Sequence, residues 1–223
     1  MESRTSNPSR GPGLFGDYWW ANRFLSRHAI VESWRGKTVD VVLLGDSIIH
    51  FWEWKHSSSW NKFVQGKKGV LNLGYGGDRT ENLIWRIEHG ELDGYDAKNI
   101  VLLIGTNNNT SKTTNPTNVA MGVEKIVSLI RRRQPKAKLF LLALLPRGAS
   151  ETSSRHSAAR KRNEITNVLL KEFAMKDGRI VWVDICDRFL DDGGWVPASL
   201  MADEIHPTEK GYDILIEELS KVM

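Results

Sequence analysis

Five residues spread along the chain have groups suited to acyl transfer, and each also has an ordinary structural reading. Ser47 lies in the stretch VVLLGDSIIHF, Val41 to Phe51, where an apolar run stops at Gly45-Asp46-Ser47 before apolar residues resume. A serine that opens a helix is a common N-cap, its hydroxyl accepting a backbone N–H. The position therefore suits a cap or a nucleophile. A nucleophilic serine needs a base to take its proton and a third group to hold that base, and both must come from elsewhere in the chain.

His206 is the best base among the six histidines. Asp203 precedes it by three residues, a spacing at which one turn of chain brings a carboxylate to the imidazole and fixes its tautomer. The same segment, Asp203 to Pro207, also reads as a helix entry, with the acid favoured by the helix dipole. His50 and Asp46 are nearer to Ser47 in sequence, but a neighbour on the same helix points along its own face, so both read as structural. In Gly74-Tyr75-Gly76-Gly77-Asp78 the glycines serve a loop that needs positive φ, or let the Gly74 main chain approach an oxyanion. This is no dinucleotide fingerprint, since counting from Gly74 puts Arg79 at the third glycine. Asn107 and Asn108 follow an apolar run, where asparagine serves a turn or donates its amide to developing negative charge. Arg147 suits either an anionic substrate group or a surface ion pair.

These residues need a scaffold that delivers them to one place. Five short apolar runs read as strands: Val39–Leu44, Gly69–Leu73, Asn99–Ile104, Lys138–Leu144 and Arg179–Asp184. Their near-continuous hydrophobicity suits strands covered on both faces. Helical spacing lies between them, clearest in Val119, Val123, Ile126, Val127 and Ile130, with Arg131 to Arg133 where cations favour the helix end. Asp78–Glu88, Arg155–Phe173 and Thr208–Val222 supply further helices. Such alternation predicts an α/β fold with one parallel sheet between helical layers. Ligands then bind outside the carboxyl ends of the strands, and the candidates all come after strands.

At 223 residues the chain suits one domain, with residues 1–16 expected to be an unstructured leader and residues 17–223 the domain. No apolar run approaches the roughly 20 residues that span a bilayer, and the first residues lack the apolar core of a secretory signal, so a cytoplasmic location is expected. The single cysteine, Cys186, excludes an intrachain disulfide. The net charge of +4 is explained by solvated helix faces at Arg131–Arg133 and Arg160–Arg162, and no nucleic-acid motif accompanies it. No metal-binding motif is present. Of the nine tryptophans, Trp52, Trp54 and Trp60 are expected in the core, with a homodimer surface as the second choice.

Gly45-Asp46-Ser47, Gly74, Gly105-Thr106-Asn107-Asn108 and Asp203-x-x-His206, in this order, resemble the four blocks of the SGNH (GDSL) hydrolase family. The resemblance runs from about Val39 to Val222. Within the family, Gly76-Gly77-Asp78-Arg79-Thr80, Trp85-Arg86-Ile87-Glu88 and Leu145-Pro146-Arg147-Gly148 are similar to the catalytic subunits of intracellular platelet-activating factor acetylhydrolase and related esterases. Asn108 stands where many members have aspartate, which fits the acetylhydrolase-like branch.

The resemblance implies a flavodoxin-like three-layer αβα sandwich around a five-stranded parallel sheet, a homodimer with room for a regulatory protein partner, and a site needing no metal or other cofactor. It implies a triad of Ser47, His206 and Asp203, and an oxyanion hole of Ser47, Gly74 and Asn107. Ile48, Thr106 and Ile205, adjacent to these in sequence, are nominated as substrate-binding walls that favour a short acyl group such as acetyl, with a phospholipid among the ester substrates. The alternatives are a carbohydrate O-acetyl esterase, which Trp195 near the last loop would suit, and a non-catalytic binding subunit.

Overall fold

The computed structural model describes residues 4–11, 16–150 and 154–223. Five strands, β1 (Thr38–Gly45), β2 (Val70–Gly74), β3 (Asp96–Leu103), β4 (Lys138–Leu142) and β5 (Ile180–Val183), pair in parallel in the order β2-β1-β3-β4-β5. This is the flavodoxin-like order, whose switch point lies where the chain leaves β1 to either side. The register sets Gly45 level with Gly74 on one side and Leu103 on the other. The loops at the carboxyl ends of β1, β2 and β3 therefore emerge at one height on one edge of the sheet.

Seven α-helices are described: α1 (Asp17–Ser33), α2 (Ser47–Lys55), α3 (Ser57–Val64), α4 (Thr80–Glu88), α5 (Pro116–Arg133), α6 (Ser154–Asp177) and α7 (Glu209–Val222). The strands alternate across the sheet because successive side chains point to opposite faces. Val42 and Leu44 join a core with Leu83 and Ile87 of α4, Val123 and Ile126 of α5 and Leu170 of α6. Val41 and Leu43 join the opposite core with Ile49 and Trp52 of α2, Phe63 of α3 and Leu215 of α7. These two cores make the three layers.

Several boundaries differ from expectation for local reasons. The helix expected from Asp78 starts at Thr80, because the Asp78 N–H closes a turn on the Tyr75 carbonyl at 3.1 Å. Helix α1 carries no apolar stripe that announces it, burying only Trp20, Arg23 and Val31. Within the N-terminal segment expected to be unstructured, residues 1–16, the backbone of Thr5 and Ser9 meets α4. Asn82 Nδ2 donates to the Ser9 carbonyl at 2.9 Å, the Ser9 N–H donates to the Glu81 carbonyl at 3.0 Å, and Thr80 Oγ1 donates to the Thr5 carbonyl at 2.8 Å. Residues 1–3 and 12–15 of that leader lie outside the described residues. No helix among the described residues is long and apolar enough to cross a membrane.

The tryptophans divide. Trp20 and Trp52 are fully buried, whereas Trp54, expected in the core, is 59% exposed at the far end of α2. The nine-residue helix buries its first six positions and runs outward after them.

Candidate active site

The end of β1 turns sharply into α2, and Asp46 makes the turn. Its Oδ1 accepts the Ile48 N–H at 2.9 Å, so the N-cap of α2 is the aspartate and Ser47 is the first helical residue. Gly45 lets this happen: a Cβ there would lie 2.4 Å from the Leu103 carbonyl oxygen and 2.5 Å from Ile49. Asp46 is fully buried, and that burial pushes its carboxyl up to about 6, against the pull of the Ile48 N–H and of His206 and Arg147. With the cap supplied, the Ser47 hydroxyl is available elsewhere.

It meets His206. Ser47 Oγ and His206 Nε2 lie 2.8 Å apart across 159 residues of chain. On the other side of the ring, His206 Nδ1 lies 2.6 Å from Asp203 Oδ2. A carboxylate accepts only, so Nδ1 carries the proton and Nε2 is left to accept the serine hydroxyl. The second oxygen, Asp203 Oδ1, accepts the N–H groups of Ile205 at 3.1 Å and His206 at 2.8 Å. Partial burial pushes the Asp203 carboxyl up, but the His206 side chain and these N–H groups outweigh it and hold the carboxyl well below the usual range. The helix-entry reading of this segment passes to Thr208, which caps α7. Between Asp203 and His206, Glu204 has φ 65°, the one non-glycine in the left-handed region among the described residues. Such a residue costs on the order of 1 kcal/mol or more, and here it lets a three-residue spacing fold the carboxylate back onto the ring. Phe51 packs on the imidazole at 4.8 Å between ring centres.

The expected donor Gly74 lies at the end of β2, beside Asn72 and Arg23. Its N–H donates to Asn72 Oδ1 at 3.0 Å and its carbonyl accepts Arg23 Nε at 2.7 Å, so both main-chain groups are already committed within the fold. Glycine is needed there for close packing, since a Cβ would lie 2.4 Å from the His50 nitrogen. A second glycine of the same loop, three residues later, has a different setting. Tyr75 to Asp78 form a turn with φ 82° at Gly77, the geometry of a type II turn that demands glycine at its third position. The Gly77 N–H meets no acceptor among the described residues. Asn107 Nδ2 donates to the carbonyl of the next residue, Asp78, at 2.9 Å, which sets the asparagine beside this turn and leaves its second amide hydrogen for a ligand. The Ser47 N–H, in the first turn of α2, has no intrahelical acceptor. Ser47, Gly77 and Asn107 can thus supply donors to an oxyanion.

The acyl-wall candidates separate. Ile48 is 2% exposed and packs in the core beneath the site, while Ile205 is half-buried beside His206. Thr106 is buried, its Oγ1 accepting from Arg147 Nη1 at 3.2 Å and from Asn163 Nδ2 at 3.1 Å. Arg147, read as a substrate contact or a surface ion pair, is buried and secures the Thr106 loop. A cleft of about 190 Å³ opens at His206, bounded by Phe51, Lys55, Ala202, Asp203 and Thr208.

Under the glycine turn lies an ionic cluster that motif reading does not resolve. Arg86, fully buried, donates through Nε to Asp78 Oδ2 at 2.8 Å and through Nη1 to Glu91, and reaches the carbonyls of Gly45 and Leu73 at 3.2 Å each. Trp20 Nε1 donates to the other Asp78 oxygen at 2.6 Å. Burial pushes the Asp78 and Glu91 carboxyls up, and the Arg86 charge opposes it. One arginine therefore ties the ends of β1 and β2 to the turn after β2. The sequence signal available was a charged pair, Asp78 and Arg86, within an otherwise buried segment. No group of three or more His, Cys, Asp or Glu among the described residues is arranged to hold a metal ion.

Residues 43–214 match the model of the GDSL-like Lipase/Acylhydrolase family. The chain is 33% identical over 224 residues to the platelet-activating factor acetylhydrolase IB subunit alpha2 of Rattus norvegicus, covering 100% of this chain and 93% of that protein. It is 29% identical over 222 residues to subunit alpha1 of Homo sapiens, covering 99% and 91%. Among solved structures, a GDSL-like lipase from Bacteroides thetaiotaomicron superposes with a TM-score of 0.70 at 18% identity, over 90% of this chain and 95% of that one.

Proposed function

Because the chain belongs to the GDSL-like Lipase/Acylhydrolase family of ester hydrolases, we propose that it cleaves short-chain acyl esters, acetyl esters foremost, with Ser47 as nucleophile. His206 Nε2 takes the hydroxyl proton as Oγ attacks the ester carbonyl, and Asp203 holds the ring and stabilises the imidazolium. The tetrahedral oxyanion receives the N–H groups of Ser47 and Gly77 and the Asn107 amide. Collapse breaks the bond to the leaving alcohol, which takes the proton from His206. Water then attacks the acyl-enzyme by the same route, releasing the acid and restoring the serine. The observation that carries this reading is the contact of 2.8 Å between Ser47 Oγ and His206 Nε2, backed by Asp203 at 2.6 Å.

The acetyl preference is supported by the full-length similarity to proteins named acetylhydrolases and by the tight packing around Thr106. A chain-length series of nitrophenyl esters, run beside Ser47→Ala, tests it. Acetyl should be cleaved fastest, each added methylene costing about 1–3 kcal/mol in the transition state once it clashes. Faster cleavage of octanoyl than acetyl esters sinks the small-pocket reading, and undiminished activity in Ser47→Ala sinks the mechanism. A homodimer belongs to the same reading and is supported by large exposed apolar side chains such as Tyr18 and Leu25; sedimentation velocity reads it directly.

A further inference from the structure

The N-terminal segment is bound where the Tyr75–Asp78 turn runs into α4. Three successive residues at the start of that helix hold it. Thr80 Oγ1 donates to the Thr5 carbonyl at 2.8 Å, the Glu81 carbonyl accepts the Ser9 N–H at 3.0 Å, and Asn82 Nδ2 donates to the Ser9 carbonyl at 2.9 Å. Thr5 Oγ1 also donates to the Asn118 carbonyl of α5 at 2.5 Å, so one short strap joins the two helices. Their surfaces are shaped to receive it. A Cβ at Gly122 of α5 would lie 2.5 Å from the Thr5 carbonyl oxygen, and one at Gly11 would lie 2.9 Å from Asn82 Nδ2 and 3.0 Å from Trp20 Nε1. Chain ends are poorly ordered unless tied down, and here Thr5 and Gly11 are both buried.

The residues that hold the strap also hold the two loops that carry Gly77 and Asn107. The Thr80 N–H donates to Asn108 Oδ1 at 3.0 Å, and Asn108 Nδ2 donates to Thr80 Oγ1 at 3.1 Å and to Glu81 Oε2 at 2.9 Å. Asn82 Oδ1 accepts the Arg79 N–H at 2.9 Å. Asn108 is the neighbour of Asn107, whose own amide donates to the Asp78 carbonyl. Thr80, fully buried, thus stands between the strap and both donor loops. A hydroxyl has one proton to give. With the strap in place it goes to the Thr5 carbonyl, and Oγ1 is left to accept from Asn108. Without the strap the remaining acceptor is Glu81 Oε2 at 3.3 Å, the oxygen that Asn108 already uses.

We infer that residues 5–9 are a positioning strap for the oxyanion hole: bound to Thr80, Glu81 and Asn82, the strap fixes the Gly77 turn relative to Asn107. It touches no substrate and acts through those three residues. Oxyanion donors are effective because they are fixed before charge develops, with no reorganisation at the moment of reaction. A displacement of about 1 Å that originates far from the chemistry can cost about a hundredfold in rate. The inference rests on the reading of Ser47 as the esterase nucleophile with Gly77 and Asn107 as oxyanion donors.

The test uses the full chain with two substitutions in the strap. Ser9→Pro deletes the N–H that Glu81 accepts, and Gly11→Val adds a side chain that presses on Asn82 and Trp20. With nitrophenyl acetate as substrate, the double variant should lose about 10- to 100-fold in kcat with KM nearly unchanged. Ser9→Ala keeps the N–H and should retain kcat. The decisive readout is coupling to Asn107, because losses carried by one unit do not add. The same two substitutions placed in Asn107→Ala should lower kcat much less than they do in the wild type. An equal fold-loss in both backgrounds overturns the inference by assigning the strap to general stability. Unchanged kcat in the double variant overturns it as well, and so does a loss in Ser9→Ala equal to that in Ser9→Pro. Should the double variant not fold, Ser9→Pro alone is read in the same two backgrounds. Activity that survives in Ser47→Ala rejects the nucleophile reading itself, whereas an inactive Ser47→Ala beside an undiminished strap variant rejects only the strap.

Discussion

Asp46 Oδ1 accepts the Ile48 N–H at 2.9 Å, while the adjacent Ser47 directs its Oγ to His206 Nε2 at 2.8 Å. Two neighbouring side chains thus divide two roles that one serine could have filled, helix cap and nucleophile. The division has a consequence for stability. The Asp46 carboxyl, raised by burial from its ordinary 3.8 to about 6, binds a proton more tightly folded than unfolded. The folded state is therefore favoured by protonation, and stability is lost as pH rises through the window between these values. Asp46→Asn keeps an acceptor for the Ile48 N–H and removes the titration. Relative to the variant, the wild type should lose up to about 3 kcal/mol between pH 4 and pH 7, measured as the difference in urea midpoints. A difference that stays constant with pH contradicts the assignment.

Much of the architecture was legible in the residues. The five apolar runs became the five strands, since both faces of a parallel sheet are covered and its strands need little polar alternation. Ser47, Asp203 and His206 came together because each comes after a strand or its loop on the same edge. What was not legible turns on directions of N–H groups and on burial of charge. Gly74 and Gly77 are equivalent as letters, and only the hydrogen bond to Asn72 and the φ of 82° separate them. Arg23 lies in α1, a helix with no apolar stripe, and nothing in its spacing marks it as a buried charge.

The turn from Asp203 to His206 makes its own claim about the tautomer. Asp203→Asn retains an oxygen for the backbone N–H groups of Ile205 and His206 but faces the ring with an amide that can donate, which favours a proton on Nε2 and leaves Ser47 without a base. The expected loss in kcat is about 10⁴-fold. The far-ultraviolet circular dichroism spectrum and the melting temperature should change little, because the carboxylate is largely exposed. A fall in activity below tenfold denies Asp203 the orienting role.

The oxyanion donors separate from the packing glycines by substitution. Asn107→Ala should lower kcat by about a hundredfold to a thousandfold with KM nearly unchanged. Gly74→Ala keeps its N–H but brings a Cβ to 2.4 Å from the His50 nitrogen, so it should destabilise the protein before it affects chemistry. A Gly74→Ala protein with wild-type stability and crippled kcat returns Gly74 to the oxyanion hole.

Arg86 carries the last prediction. It pairs with both Asp78 and Glu91 while reaching the carbonyls of Gly45 and Leu73, so its removal leaves both buried carboxyls without their cation and frees both strand ends. Breaking a buried pair from one side typically costs about 3–5 kcal/mol, because the remaining charge is left without a partner. Arg86→Met should lose an amount in that range by urea unfolding at pH 7. The loss should shrink at pH 5, since carboxyls whose partner is gone and whose burial already favours protonation take up protons more readily there. Adding Asp78→Asn and Glu91→Gln to Arg86→Met should recover part of the stability at pH 7 by removing the stranded charges. A triple variant no more stable than Arg86→Met would instead locate the cost in the lost carbonyl contacts.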